Sequence, residues 1–264
     1  MKKNDLVIID PQNDFCLSDG ALSVPGAERD MKRLSTFIER SGSKINNIHC
    51  SIDHHHYYDI SHPAFWIDKD GKNPSPFTII TGFDLKNGFY KTDDPIHSDY
   101  AFEYVKKLEI NNRYPLCIWP EHCLIGSPGS NIVDVVNNAF VKWEKINKKT
   151  INYIFKGLNN MTEHYSAVKA DVEDPLDSTT KLNNDLILKL KGADQILFAG
   201  EASSHCLKFT VEDIADALGE DYVKKMVLLS DCTSPVGGFK DESDKFIKAM
   251  QTRGMQITDS IYYS

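Results

Sequence analysis

The run Gln195-Ile196-Leu197-Phe198-Ala199-Gly200 constrains this chain more than any other feature. After its first residue it is continuously apolar, and Leu6-Val7-Ile8-Ile9 and Met226-Val227-Leu228-Leu229 repeat the pattern. Strands read this way when helices cover both faces of a parallel sheet. Stretches with helical spacing lie between them. Met31, Leu34, Phe37 and Ile38 share one face after Pro25-Gly26. Ile132, Val135, Val136, Ala139, Phe140 and Trp143 form a stripe that Ser130 can cap. Leu182, Leu186 and Leu190 run up to Gly192, and Leu207, Val211, Ile214 and Leu218 run up to Gly219. Phe246, Ala249 and Met250 precede Gly254 and a short strand Met255–Thr258. The alternation predicts a three-layer α/β/α fold with a doubly wound, mostly parallel sheet of about six strands. Residues 1–264 are expected to form a single domain, a length that buries a sizeable core.

The apolar run leads into Glu201-Ala202-Ser203-Ser204-His205-Cys206, which reads as a strand turning into a helix with Cys206 in its first turn. Unpaired N–H groups and the helix dipole there favour a thiolate. Alone, such a cysteine reads equally well as a small buried apolar residue. Its partners stand at other strand ends: Asp10 closes Leu6–Ile9, and Lys156 closes Ile151–Phe155. The C-terminal ends of parallel strands share one edge of a sheet, so all three side chains can converge. Metal-ligand types cluster as well. Asp53-His54-His55-His56 follows the strand Ile48-His49-Cys50, with His62 shortly after. His122 follows the strand Leu116-Cys117-Ile118 in Trp119-Pro120-Glu121-His122-Cys123. Carboxylate and imidazole together suit Zn²⁺, Fe²⁺ or Mn²⁺ with coordination positions left open. His49, His97 and His164 read as ordinary core or surface residues.

Three segments carry a family resemblance: Asp10-Pro11-Gln12-Asn13-Asp14-Phe15, Lys156-Gly157 with Tyr165-Ser166-Ala167-Val168, and Gly200-Glu201-Ala202-Ser203-Ser204-His205-Cys206. In order and context they resemble the D-x-Q-x-D-F, K-G with Y-S-A-[FV], and G-x-A-[ST]-x-H-C of the isochorismatase-like cysteine hydrolases, and among these most the nicotinamidases (pyrazinamidases). The resemblance implies an Asp10–Lys156–Cys206 triad. It implies metal ligands Asp53, His55, His62 and His122, with His62 one residue later than the family spacing. It also implies a cis peptide at Glu201–Ala202, an oxyanion hole from the N–H groups of Ala202 and Cys206, and a ring pocket lined by Phe15, Trp119 and Tyr165. In such enzymes Cys206 would attack the amide, Asp10 would take and return its proton, and water would hydrolyse the thioester. A divalent metal, zinc first and iron or manganese next, would hold the pyridine nitrogen. The implied activity is conversion of nicotinamide to nicotinic acid and ammonia for NAD salvage by a cytoplasmic homo-oligomer.

Other readings share parts of this pattern. Another small-amide or carbamoyl hydrolase would use the same triad but not the Asp53/His55/His122 set. Isochorismatase chemistry does not call for a cysteine nucleophile. A non-enzymatic binding module on this fold would be expected to have lost Asp10, Lys156 or Cys206.

A net charge of −8, without a basic patch among aromatics, argues against a nucleic-acid partner. No apolar run is long enough for a membrane span, and Met1-Lys2-Lys3 leads straight into the first strand, so neither leader nor membrane partner is expected. The six cysteines lack paired spacing, as in a reduced cytosolic protein. No CxxC, GxGxxG or P-loop is present. Residues 63–115 read as an insertion, with an Asn87-Gly88 hairpin between Phe77–Ile80 and Phe89–Tyr90 and a helix carrying Ala101, Phe102, Val105 and Leu108. It would cover the site, build a subunit contact, or elaborate the structure without touching substrate choice.

Overall fold

A computed structural model describes residues 3–111 and 113–263, so Met1 and Lys2 of the expected N-terminal run lie outside it. Six strands form the central sheet: β1 (Asn4–Ile9), β2 (Ile45–Asp53), β3 (Asn152–Lys156), β4 (Gln195–Gly200), β5 (Met226–Leu229) and β6 (Gln256–Thr258). Their order is β6-β5-β4-β1-β2-β3 and every pair is parallel. All described residues of β1 and β5 are buried, as their unbroken apolar runs require. The main helices are α1 (Ala27–Ser41), α2 (Ser98–Ile110), α3 (Asp134–Asn147), α4 (Asn184–Lys191), α5 (Cys206–Leu218) and α6 (Lys240–Arg253). Helix α1 packs on α3, and α5 packs on α4 and α6. Right-handed crossovers put these two groups on opposite faces, because the chain moves one way from β1 and the other way from β4. The neighbours β1 and β4 therefore form the switch point, where a parallel sheet opens a crevice at its carboxyl edge.

Strand register brings the candidate side chains to that edge. Ile9 pairs with Gly200, so Asp10 and the Glu201–Cys206 turn leave the sheet side by side. Asp53 pairs with Lys156. Gly200 has a φ of 107°, and a β-carbon there would strike the Ile9 carbonyl, so only glycine allows β1 and β4 to approach this closely. Asp10 has a φ of 44°, a left-handed conformation costing of order 1 kcal/mol for a non-glycine residue.

Residues 63–115 build a small lobe with its own apolar centre, including Phe65, Trp66, Tyr104 and Leu108. One local expectation fails here. Asn87-Gly88 is not a hairpin turn: Asn87 closes a short helix, Gly82–Lys86, which Thr81 and Asp84 start with a capping box. Tyr90–Thr92 instead pairs with Trp66–Asp68. Leu116–Cys117 pairs with Ile79–Ile80 and stays outside the central sheet. Helix α2 buries Ala101, Val105 and Leu108 as expected, together with Tyr104, while Phe102 is only half-buried. Ser130 does not cap α3 either, which starts at Asp134 after Val133. The Ser130 hydroxyl turns back to Ser127 O, and its carbonyl accepts from Gln12, tying this loop to the end of β1.

Candidate active site

Lys156 lies at the centre of the converging edge. Its Nζ is 3.0 Å from Asp10 Oδ2 and 3.0 Å from Asp53 Oδ1, and it donates to His164 O at 2.9 Å. Cys206 Sγ is 3.7 Å away. One ammonium thus touches two carboxylates and the thiol, all of them buried. The contacts to Asp10 and Asp53 are charge contacts rather than well-aligned hydrogen bonds, since neither oxygen has a hydrogen-bond partner among the described residues. Asp10 is oriented by Ser51, whose hydroxyl donates to Oδ1 at 2.5 Å and accepts from the Asp10 N–H at 3.1 Å.

Burial favours neutral Lys156, but Asp10 and Asp53 outweigh it and hold the ammonium charged. Burial pushes the Asp10 carboxyl above its usual range; Lys156 opposes the rise and Asp53 adds to it. Burial also pushes the Cys206 thiol well up, with Lys156 opposing. Burial therefore works against the thiolate expected at a helix N-terminus and favours the protonated thiol, so attack calls for a base near Sγ. Asp10, raised by the same burial, suits that task.

Beside the triad, one donor atom from each of Asp53, His55 and His122 falls within 4.8 Å of the others. Asp53 Oδ2 lies 3.2 Å from His55 Nε2 and 3.7 Å from His122 Nε2. The remaining ring nitrogens are held from behind: His55 Nδ1 is 3.1 Å from Asp59 Oδ2, and His122 Nδ1 is 2.8 Å from Pro120 O. Such outer hydrogen bonds fix the tautomer that leaves Nε2 free for a metal. Two imidazole Nε2 atoms converging on the Asp53 Oδ2 carboxylate oxygen, all buried, fit a divalent cation of the zinc type, with positions open for a further ligand. His62 does not join the group: its Nε2 lies 3.4 Å from His122 Nδ1 and its Nδ1 faces His56 O. His54 stacks on Phe155, and His56 is exposed.

A narrow pocket opens between the two groups, lined by Phe15, Trp119, Glu163, Tyr165, His205 and Cys206 among others. Trp119 Nε1 donates to the Tyr165 hydroxyl at 3.0 Å, locking two aromatic walls together. Phe15 packs edge-on against His122, with ring centroids 5.3 Å apart. The Glu201–Ala202 peptide is cis. Neither the Ala202 nor the Cys206 N–H donates to a backbone carbonyl among the described residues, leaving both for an oxyanion. A wider, charged cleft on the outer side of α5, about 800 Å³, carries Arg113 and Asp213 but no candidate nucleophile. The chemistry belongs to the narrow pocket.

Four further residues support the site. Gln12 accepts from Asp53 N and donates to Asp53 O, both at 2.7 Å, and so sets the Asp53 backbone. Asp14 accepts from Cys123 N at 2.6 Å, next to His122. Both belong to the Asp10–Phe15 motif, which was the available signal. Asp59, behind His55, is marked only by its distance of four residues. Glu163 lies between Lys156-Gly157 and Tyr165 and is fully buried; burial pushes it up to about 7, with His55 opposing and Asp53 adding.

Glu201 is buried beside Asp30, and burial followed by the Asp30 charge raises it well above the normal carboxyl range. A carboxyl raised on folding contributes stability that is complete below its unfolded value and fades as pH climbs toward the folded one. Glu201→Gln removes that dependence. The fall in Tm from mildly acidic to alkaline pH is therefore expected to be shallower than in the wild type, and thermal melts across pH check it.

No family model matches the chain. It is 23% identical over 254 residues to the nicotinamidase of Saccharomyces cerevisiae, covering 96% of this chain and 98% of that protein. The yeast structure superposes with a TM-score of 0.68 over 97% of this chain and 99% of its own, at 21% identity. That enzyme has also been solved with the inhibitor nicotinaldehyde. A nicotinamidase/pyrazinamidase of Acinetobacter baumannii gives 0.67 at 19% identity, covering 99% and 98%. The pyrazinamidase of Pyrococcus horikoshii, solved with zinc, gives 0.58 at 18% identity, covering 97% and 99%. In sequence and in fold, this chain is similar to nicotinamidases over nearly their whole length.

Proposed function

We propose that this protein is a metal-dependent nicotinamidase, hydrolysing nicotinamide to nicotinic acid and ammonia through a thioester on Cys206. The observation that carries the reading is the position of Lys156, in contact with Asp10, Asp53 and Cys206 Sγ at once. It joins a nucleophile and its base to the carboxylate of the proposed metal site beside the narrow, aromatic-lined pocket. Asp10 takes the thiol proton as sulfur attacks the amide carbon. The N–H groups of Ala202 and Cys206 meet the developing oxyanion, and Lys156 keeps Asp10 in place. Asp10 then passes the proton to departing ammonia and activates the water that hydrolyses the thioester. Asp53, His55 and His122 would hold the divalent metal, zinc being the first choice for these donors, and a metal held there would supply a Lewis-acidic anchor for the substrate's ring nitrogen. Phe15, Trp119 and Tyr165 enclose the flat ring.

Ammonia release from nicotinamide by the metal-loaded protein tests the reading. Removing the metal is expected to raise KM by about tenfold or more with a smaller effect on kcat, because an anchor lost from ground and transition states alike appears mainly in KM. Full activity of the metal-free protein would remove the anchoring role. Rapid turnover of a carbamoyl or aliphatic amide, with none of nicotinamide, would favour the other small-amide reading. Among the described residues no helix is long and apolar enough to cross a membrane. All six cysteines are free and buried, which supports the cytoplasmic location in this proposal. Self-association belongs to it too, and the mass of the protein in solution is its check.

A further inference from the structure

We propose that Arg113 is a positioning residue for substrate binding, holding the aromatic wall of the pocket in place through Asp171. The proposal rests on the nicotinamidase reading and concerns a residue outside the pocket. Arg113 follows α2 at the end of the 63–115 lobe, and only 11% of its side chain is exposed. Its Nε is 3.3 Å from Asp171 Oδ1, a charge contact rather than an aligned hydrogen bond, and its Nη2 donates to both carboxylate oxygens of Asp213 at 3.0 and 2.9 Å. The guanidinium also lies 4.7 Å over the Phe209 ring. Asp213 and Phe209 are one turn apart on α5, the helix that begins at Cys206. One side chain therefore fastens three parts together: the lobe, the loop carrying Asp171, and the nucleophile helix.

The link to the pocket runs through Asp171. Its Oδ2 accepts from the Tyr165 N–H at 3.2 Å, and its own N–H donates to Glu163 O at 2.9 Å. The Tyr165 ring stacks on Phe209 at 5.6 Å and carries Trp119 by its hydroxyl. Tyr114, next in the chain, donates to Ser204 O at 3.0 Å, so the same corner steadies the turn before Cys206. Neither Arg113 nor Asp171 reaches the reacting atoms. Their effect has to pass through the placement of Tyr165 and Trp119 against the ring.

Asp171 is fully buried, and burial pushes it up to about 6, with Arg113 opposing and Asp213 adding. Other charged and titratable groups facing this corner are Lys156, Lys208, Lys169 at 3.1 Å from Asp213, the Glu212 and Glu163 carboxyls, the latter raised to about 7, and the phenols of Tyr104 and Tyr165. An ionised Asp171 binds Arg113 and the Tyr165 N–H; a protonated one releases the guanidinium and slackens the wall. Removing Arg113 takes away the charge that opposes burial, so Asp171 protonates at higher pH.

The test is steady-state hydrolysis of nicotinamide from about pH 5 to 9 by the wild type, Arg113→Ala, Arg113→Lys and Asp171→Asn. At neutral pH Arg113→Ala is expected to raise KM by about tenfold with kcat much less affected, the scale of a displaced binding wall. The wild-type KM should rise as pH falls through about 6. In Arg113→Ala that rise moves to higher pH, in Arg113→Lys it falls between, and in Asp171→Asn it disappears. Trp119 emission, taken as the difference between each protein and its Trp119→Phe partner, should show the same step without any turnover. Unchanged KM profiles in Arg113→Ala, or an emission step that survives in Asp171→Asn, would overturn the proposal. Absence of ammonia release from the wild type would instead remove the nicotinamidase reading, and the emission step would still decide the role of Arg113.

Discussion

Cys206→Ala is expected to lower ammonia release from nicotinamide by roughly ten-thousand-fold or more, with fold and metal content unchanged. The size follows from the site. Cys206 is the cysteine within reach of Lys156, at 3.7 Å, and it lies against the free N–H groups that would receive the oxyanion. No other described group near the pocket is an obvious substitute, because the remaining cysteines are packed into the interior and Ser203 and Ser204 are tied up with Ser243 and His205. Alanine leaves a void of one sulfur atom at the start of α5, so a thermal melt should shift by only a few degrees. Metal analysis of the variant should match the wild type, since Cys206 touches none of Asp53, His55 or His122 in the arrangement described. A variant retaining more than a small fraction of activity would remove the thioester mechanism.

Lys156→Met is the second large effect, and it strikes stability as well as rate. Methionine fills similar space without charge, leaving Asp10 and Asp53 buried together with no cation between them. Removing one partner from a buried ion pair costs about 3–5 kcal/mol, because the remaining charge is uncompensated. Part of that cost is relieved by protonation of Asp10, which burial already raises. The relief has a consequence for catalysis: a protonated Asp10 cannot accept the thiol proton. Activity is expected to fall by about a thousandfold or more, on the scale of losing a positioned electrostatic partner. Denaturant unfolding and ammonia release on the same preparation check both. A stable, active Lys156→Met protein would contradict the central place given to this lysine.

Strands buried on both faces were legible in the sequence because an unbroken apolar run has few other homes. Leu6–Ile9, Ile196–Ala199 and Met226–Leu229 are strands for that reason. Asp10, Lys156 and Cys206 were legible as strand-end residues once the sheet was taken as parallel. The lobe at 63–115 was not, since its short strands pair with distant segments and its turn signal at Asn87-Gly88 serves a helix end instead. Partners made across long sequence separations were equally hidden. Nothing in the neighbourhood of Arg113 announces Asp171 or Asp213, and nothing near Gln12 announces the backbone of Asp53. The departure of His62 from the metal group has a local cause that spacing does not reveal: its ring is held by His56 O on one side and meets His122 on the other.

The claim that Cys206 carries the acyl group is tested most directly by the mass of protein quenched in acid during turnover of nicotinamide. A fraction of the chain is expected to be heavier by one nicotinoyl group, located on the peptide containing Cys206 and missing from Cys206→Ala. An adduct on a different residue, or undiminished ammonia release by Cys206→Ala, would contradict it.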